Sequence, residues 1–249
     1  MGRFHRHDDG TVHSHDHGDH SGYDTGSQRI DVLEAIFAEN DIRAGINRKA
    51  FESNGIRALN LMSSPGSGKT TVLQATLDEL AGEFAIGVIE GDIATDLDAA
   101  KLSDRGAQVS LLNTGAGFGG ECHLDAPMIN RALGGLDLSR LNLVIIENVG
   151  NLVCPAEFDV GEHAKAMVYS ITEGEDKPLK YPVMFRSVDL VLINKIDLVP
   201  HLDADVDNYI AHVRKVNTTA TILPISARTG AGMDAWFGWL RRFAAGSTS

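Results

Sequence analysis

The segment Ser63-Ser64-Pro65-Gly66-Ser67-Gly68-Lys69-Thr70 constrains the fold of this chain more than any other. It follows an apolar run, Ala58–Met62, and opens a helical stretch, Thr70–Leu80. A strand that turns through small residues into a helix aims several backbone N–H groups, and the positive helix end, at one point. That arrangement cradles phosphate oxygens, and the segment matches the phosphate-binding loop with Ser63 in place of the usual first glycine. Ser64, Gly66, Ser67, Gly68 and Thr71 then border the phosphates, Lys69 reaches the β- and γ-phosphates, and Thr70 offers a hydroxyl to Mg²⁺. A glycine-rich connection with no ligand would not require a strand before it and a helix after it.

Further apolar runs follow at Ile86–Ile89, Val109–Leu112, Leu143–Ile146, Val188–Ile193 and Thr221–Ile225, with helical stretches such as Asp96–Ser103 and Ala204–Lys215 between them. Continuous apolar strands alternating with helices predict a mostly parallel sheet covered on both faces, an α/β three-layer P-loop NTPase fold. Ligands collect at the carboxyl ends of such strands. The chain has 249 residues, 22 basic against 34 acidic, for a net charge of −12. This lacks the cationic footprint of broad nucleic-acid binding. Met1-Gly2-Arg3-Phe4-His5 leads into no apolar run, and wholly apolar runs such as Leu143–Ile146 fall far short of a membrane span. The expected compartment is the cytoplasm, with no membrane partner. There the two cysteines, Cys122 and Cys154, read as metal ligands or core residues rather than a disulfide.

Residues 1–27 differ from the rest. His5, His7, His13, His15, His17 and His20 are six of the ten histidines, set among Asp, Gly and Ser. So polar a segment buries too little surface to offset ordering entropy, so it is expected to be disordered. Its imidazoles, His13, His15, His17 and His20 above all, suit Ni²⁺ with modest selectivity. From residue 28 to 55 the apolar spacing of Ile30, Leu33, Ile36, Phe37, Ile46 and Phe51 predicts an amphipathic helix or helix pair outside the main sheet, ended at Asn54-Gly55. The remainder of 28–249 is the nucleotide-binding domain.

Asn194-Lys195-Ile196-Asp197 selects the base. It lies at the carboxyl end of Val188–Ile193, and the Asp197 carboxylate can accept from guanine N1–H and the exocyclic amine, a donor pair that adenine lacks. Asn194 braces the loop, the Lys195 stem lies along the base, and Ser226-Ala227 follows the next strand as a second base contact. GTP is therefore favoured over ATP. Glu147-Asn148-Val149-Gly150 ends another strand: Glu147 can hold Mg²⁺ through water, and the Gly150 N–H can meet the γ-phosphate. Asp92, after the second strand, coordinates Mg²⁺, orients the attacking water or caps a helix, with Asp98 a weaker candidate acid. Lys69, Asp92 and Glu147 are the catalytic candidates.

Cys122-His123 and Cys154 lie on loops that should emerge at the same sheet edge as the γ-phosphate. Thiolate and imidazole suit nickel or zinc, and Cys154 also reads as a buried small hydrophobe. Asn148–Asp159, with Ser63–Thr71, Asn113-Thr114-Gly115, Cys122–Ala126 and Asn194–Asp197, resembles the HypB family of hydrogenase nickel-incorporation GTPases from about residue 28 to the C-terminus. Asn-Leu-Val-Cys-Pro at 151–155 is the most specific part and separates the chain from urease-accessory GTPases, which carry Cys-Pro-His.

The resemblance implies a SIMIBI-type GTPase that forms a homodimer when GTP is bound. It implies a Cys122, His123 and Cys154 metal site coupled to the loops around the nucleotide. It also implies a nickel-passing accessory chaperone and the hydrogenase large subunit as partners. Two departures stand out: Ala116–Glu121 looks like an insertion beside the metal loop, and no cysteine precedes Cys122, so the N-terminal cysteine motif of some members is absent. The competing function is nickel storage through the histidine tail. A P-loop ATPase or small-molecule kinase is disfavoured by Asn194–Asp197.

Overall fold

Buried strands joined through helices build this chain from residue 57 onward, as a computed structural model describing residues 5–6, 12–13, 25–91, 96–112 and 123–246 shows. The chain divides into two units, Met1–Ala38 and Glu39–Ser249. In the first, β1 (His5–Arg6) pairs antiparallel with β2 (Val12–His13), and helix α1 (Thr25–Ser53) begins. The other tail residues before Thr25, His15, His17 and His20 among them, lie outside the described residues, as does the side chain of His13.

Of the helix or helix pair predicted over 28–55, the structure has the single helix, α1, which begins at Thr25. Its buried Asn40 and Asn47 side chains donate to backbone carbonyls beyond the helix, at Asp159, Ala126 and Val160. Asn54 and Gly55 end it as predicted, with Gly55 at φ 69.

The second unit holds a seven-stranded sheet. Its strands are β3 (Arg57–Ser63), β4 (Ile86–Glu90), β5 (Gln108–Leu111), β6 (Leu143–Glu147), β7 (Ala164–Ser170), β8 (Leu190–Asn194) and β9 (Thr221–Pro224). The helices after α1 are α2 (Lys69–Leu80), α3 (Asp96–Ser103), α4 (Ala126–Leu133), α5 (Cys154–Glu157), α6 (Lys177–Lys180), α7 (Pro182–Arg186), α8 (Val206–Val216) and α9 (Met233–Ala244). Strand order is β5-β4-β6-β3-β7-β8-β9, and every adjacent pair is parallel. This is the three-layer parallel arrangement read from the sequence, with strand ends shifted by a residue or two.

One strand escaped the sequence reading. β7 lies beside β3 at the sheet centre, but Lys165 and two alanines interrupt its apolar run. Lys165 is tolerated because it reaches the Glu162 carboxylate at 3.4 Å.

Strand side chains alternate between faces. Leu59, Leu61, Leu143 and Ile145 share one apolar cluster with Val72, Leu73 and Trp236, so α2 and α9 cover that face. The Trp236 indole N–H donates to Thr76 Oγ1 at 2.8 Å, which ties the two helices. The opposite face is split. Ala58, Val144 and Ile146 pack with Phe51 and Ile129, whereas Met62, Met167 and Ile193 pack with Phe185 and Tyr209. Asn60 takes the position on β3 between Ala58 and Met62, so a buried polar side chain sits between the two clusters.

Candidate nucleotide site and metal loop

The loops after β3, β6, β8 and β9 meet at the carboxyl edge of the sheet. Between β3 and α2 the chain turns through Gly66 (φ 74) and Gly68 (φ 97). A Cβ on Gly68 would sit 2.5 Å from Asn194 Nδ2, so only glycine allows this approach. Asn194 Nδ2 donates to the Ser67 carbonyl at 2.9 Å, and Asn194 Oδ1 accepts from the Ala227 N–H at 3.1 Å. The brace read from the sequence is thus one buried amide joining the phosphate loop to the Ser226-Ala227 loop. Lys195, at φ 66, donates to the Gly66 carbonyl at 2.6 Å. A non-glycine residue held left-handed is typical of a ligand-binding loop. Asp197 Oδ1 accepts from the Ser226 hydroxyl at 2.7 Å, which fixes the carboxylate.

These residues enclose two neighbouring cavities. One, of about 540 Å³, is bordered by Gly68, Thr71, Asn194, Lys195, Asp197, Leu198, Ala227 and Arg228. The other, of about 340 Å³, is bordered by Ser63–Thr71 and Lys195. They share Gly68, Thr71 and Lys195, so a base beside Asp197 connects directly to phosphates beside Lys69. Leu198 and Arg228 were not singled out in the sequence; Arg228 was findable as the residue after Ser226-Ala227. Glu173 was also missed. Its carboxylate accepts from the Ser64 hydroxyl and from the Ser170 N–H, tying the phosphate loop to the end of β7.

Glu147 ends β6 with its side chain 0 % exposed, and Lys69 is 4 % exposed. Glu147 Oε1 accepts from Thr70 Oγ1 at 2.8 Å and lies 3.1 Å from Lys69 Nζ. Glu147 Oε2 and the Ser67 hydroxyl are buried without a hydrogen-bond partner. A buried carboxylate oxygen left unsatisfied beside the Thr70 hydroxyl fits a hard cation with oxygen ligands, such as Mg²⁺. Gly150 lies against the backbone of Pro65, at the edge of the phosphate cradle. Asp92 and the side chain of Asp98 are outside the described residues.

His123 stacks on Phe158, with ring centroids 4.1 Å apart and planes at 24°. Phe158 directly follows α5, which Cys154 opens, and the four residues of α5 rise about 6 Å. The His123 ring thus lies against the residue that ends the short helix Cys154 opens. Asn151 Nδ2 lies 3.8 Å from Cys154 Sγ. Among the described residues no three His, Cys, Asp or Glu side chains converge as a metal-holding group. Cys122, the third member of the predicted set, lies outside them, as do Asn113–Gly115 and Ala116–Glu121.

A family model described as "CobW/HypB/UreG, nucleotide-binding domain" matches residues 57–224. The Azotobacter vinelandii hydrogenase maturation factor HypB is 49% identical over 216 residues, covering 87% of this chain and 70% of that protein. The chain belongs to the HypB family. Among solved structures, HypB from Archaeoglobus fulgidus matches with 38% identity and a TM-score of 0.77, covering 83% of this chain and 99% of that one. HypB from Helicobacter pylori, solved in complex with nickel, matches with 35% identity and a TM-score of 0.77, covering 85% of this chain and 98% of that one. As a HypB member the chain is a P-loop GTPase with the predicted SIMIBI-type fold. Among the described residues no helix is long and apolar enough to cross a membrane.

Proposed function

We propose that this chain is a GTP-hydrolysing nickel metallochaperone that serves nickel insertion into the hydrogenase large subunit. One observation carries the reading: the continuous segment Glu147–Cys154. Its first residue touches Lys69 and Thr70 of the phosphate loop, and its last opens the helix beside the His123–Phe158 stack. A change at the γ-phosphate thus has a short covalent path to the metal-binding thiol. The nickel named with the Helicobacter pylori relative supports the same cargo here.

GTP lies with guanine on Asp197 and its phosphates along Ser63–Thr71. Lys69 leaves Glu147 for the β- and γ-phosphate oxygens, and Thr70, Asp92 and Glu147 are the residues that would hold Mg²⁺. When bound, that ion neutralises charge on the β- and γ-phosphates. Asp92 orients a water that adds to the γ-phosphorus as its bond to the β-phosphate oxygen breaks, giving GDP and phosphate. Intrinsic turnover is slow, because the site positions groups rather than supplying a strong base. GTP favours a homodimer in which Cys122, His123 and Cys154 bind nickel or zinc. Nickel arrives from an accessory chaperone, and the histidine tail buffers it. The setting is the cytoplasm, with no nucleic-acid partner.

The test is a nickel titration in Mg²⁺-GDP and in Mg²⁺ with a non-hydrolysable GTP analogue, with mass followed by light scattering. The thiolate-to-nickel charge-transfer band reports the cysteine site, because imidazoles of the tail do not produce it. Band affinity and dimer mass both change with nucleotide, and Cys122→Ala removes the band. A band indifferent to nucleotide refutes the proposal and leaves the tail as the main nickel binder.

A further inference from the structure

The polar seam on the split face of the sheet does more than fill space. Asn148 is 1 % exposed and Asn60 0 %. Asn148 Oδ1 accepts from the Leu124 N–H at 3.1 Å and from the Val149 N–H at 2.9 Å. Asn148 Nδ2 donates to Asn60 Oδ1 at 3.2 Å, and Asn60 Nδ2 donates to Glu162 Oε1 at 3.3 Å. Glu162 Oε2 in turn accepts from the Val160 N–H at 2.8 Å, so the seam is anchored at its far end. Buried amides of this kind hold a fixed orientation only while their partners stay paired.

Asn148 stands between two functional loops. It directly follows Glu147, which holds Lys69 and Thr70. Two residues on, Gly150 packs so closely on the phosphate loop that a Cβ would lie 3.3 Å from Pro65 Cα. On the other side, the amide holds the backbone one residue past His123, whose ring stacks on Phe158. Building on the GTP-gated nickel reading, we infer that Asn148 is a positioning residue that transmits the nucleotide state of the Glu147–Gly150 loop to the His123 metal loop.

The chemistry is a change of hydrogen-bond partners. A γ-phosphate that draws the Gly150 N–H rotates the backbone at Val149. The Val149 N–H then swings off Asn148 Oδ1, and the amide, still tied to Asn60, shifts its hold on the Leu124 N–H. His123 moves with Leu124. The Asn151 contact with Cys154 runs along the same segment toward the thiol, so both arms of the metal site share one origin. A side chain with two discrete bonding arrangements supplies the bistable element that coupling requires.

The full chain is used as wild type, Asn148→Ala and Asn148→Asp. Each is titrated with nickel chloride in Mg²⁺-GDP and in Mg²⁺ with a non-hydrolysable GTP analogue. The thiolate-to-nickel band is read, and affinity for a fluorescent GDP analogue is measured beside it. Wild-type nickel affinities differ between nucleotides by roughly 5- to 150-fold, the usual range for coupled sites, and Asn148→Ala brings the ratio to about 1. GDP affinity stays near wild type in that variant, which a general loss of structure would not allow. Asn148→Asp keeps an acceptor for Leu124 and Val149 but has no donor for Asn60 Oδ1, so it too brings the ratio toward 1 and shows that the tie to Asn60 is part of the device. Asn148→Ser is too short to reach the Leu124 N–H, gives the same loss as alanine, and serves if the alanine variant does not fold. An unchanged ratio in Asn148→Ala, or a wild-type ratio in Asn148→Asp, overturns the inference. A wild type with no nucleotide dependence overturns instead the reading on which it rests.

Discussion

Replacing Glu147 with glutamine isolates the charge of the buried pair at the phosphate loop. The amide oxygen of the new side chain still accepts from Thr70 and Lys69, so the negative charge is lost while an NH2 group takes the buried place of Oε2. Lys69, 4 % exposed, then keeps a largely desolvated ammonium without the Glu147 charge opposite it. Breaking a buried ion pair from one side costs about 3–5 kcal/mol, and the retained hydrogen bonds point to roughly 3 kcal/mol here. For a chain of this size that is roughly 6–12 °C in melting temperature. The loss belongs to the nucleotide-free protein. When GDP binds, the β-phosphate supplies the missing charge, and in the variant Lys69 has no carboxylate at Glu147 to leave. Without Mg²⁺, Glu147→Gln therefore binds GDP more tightly, by up to about a hundredfold if the full 3 kcal/mol is recovered. Thermal unfolding followed by circular dichroism in EDTA, with and without saturating GDP, measures both effects. A variant that melts with wild type when empty refutes the reasoning, as does one whose deficit is undiminished by GDP.

Gly68→Ala forces a side chain into left-handed backbone, at about 1–2 kcal/mol, and drives its Cβ onto Asn194 Nδ2, 2.5 Å away. The loop relaxes away from its cradle geometry, and calorimetry shows GDP binding weakened about 10- to 30-fold; unchanged affinity would contradict the close approach. His163 Nδ1 accepts from the Ala58 N–H at 3.0 Å, and burial, aided by the nearby Arg57 charge, holds the imidazole below its ordinary 6.5. The unfolded chain takes up that proton first, so this contribution is complete above pH 6.5 and is lost as pH falls from 6.5 toward the folded value. His163→Asn keeps an acceptor for Ala58 and flattens the fall of the urea midpoint across that window. An undiminished slope would assign the pH dependence elsewhere.

The phosphate loop and the guanine motif were legible because each is local. Backbone turn, helix start and the residues that meet the ligand lie within eight positions of chain for the former and four for the latter. The sheet was legible as far as its apolar runs are unbroken. β7 was not, because Lys165 carries a charge whose compensation by Glu162 depends on the folded backbone. Glu173 closes a Ser-x-x-Glu helix start, but its tie to the phosphate loop was missed because Ser64 lies 109 positions away.

Unbroken apolar runs separated by helical stretches were enough to specify a parallel α/β fold and where its ligand edge lies. Residue chemistry within single loops was enough to point to a guanine nucleotide and to raise cysteine and histidine as candidate metal ligands. Tertiary structure alone decided that Glu147 closes on Lys69 and Thr70, that His123 stacks beside the Cys154 helix, and that Asn60, Asn148 and Glu162 form one buried seam. The hydrogen bonds from Thr70 to Glu147, from Asn148 to Asn60 and from Asn60 to Glu162 join residues 77, 88 and 102 positions apart. Their energies depend on burial and on distances of a few ångströms, quantities that exist only once the strands have been brought side by side.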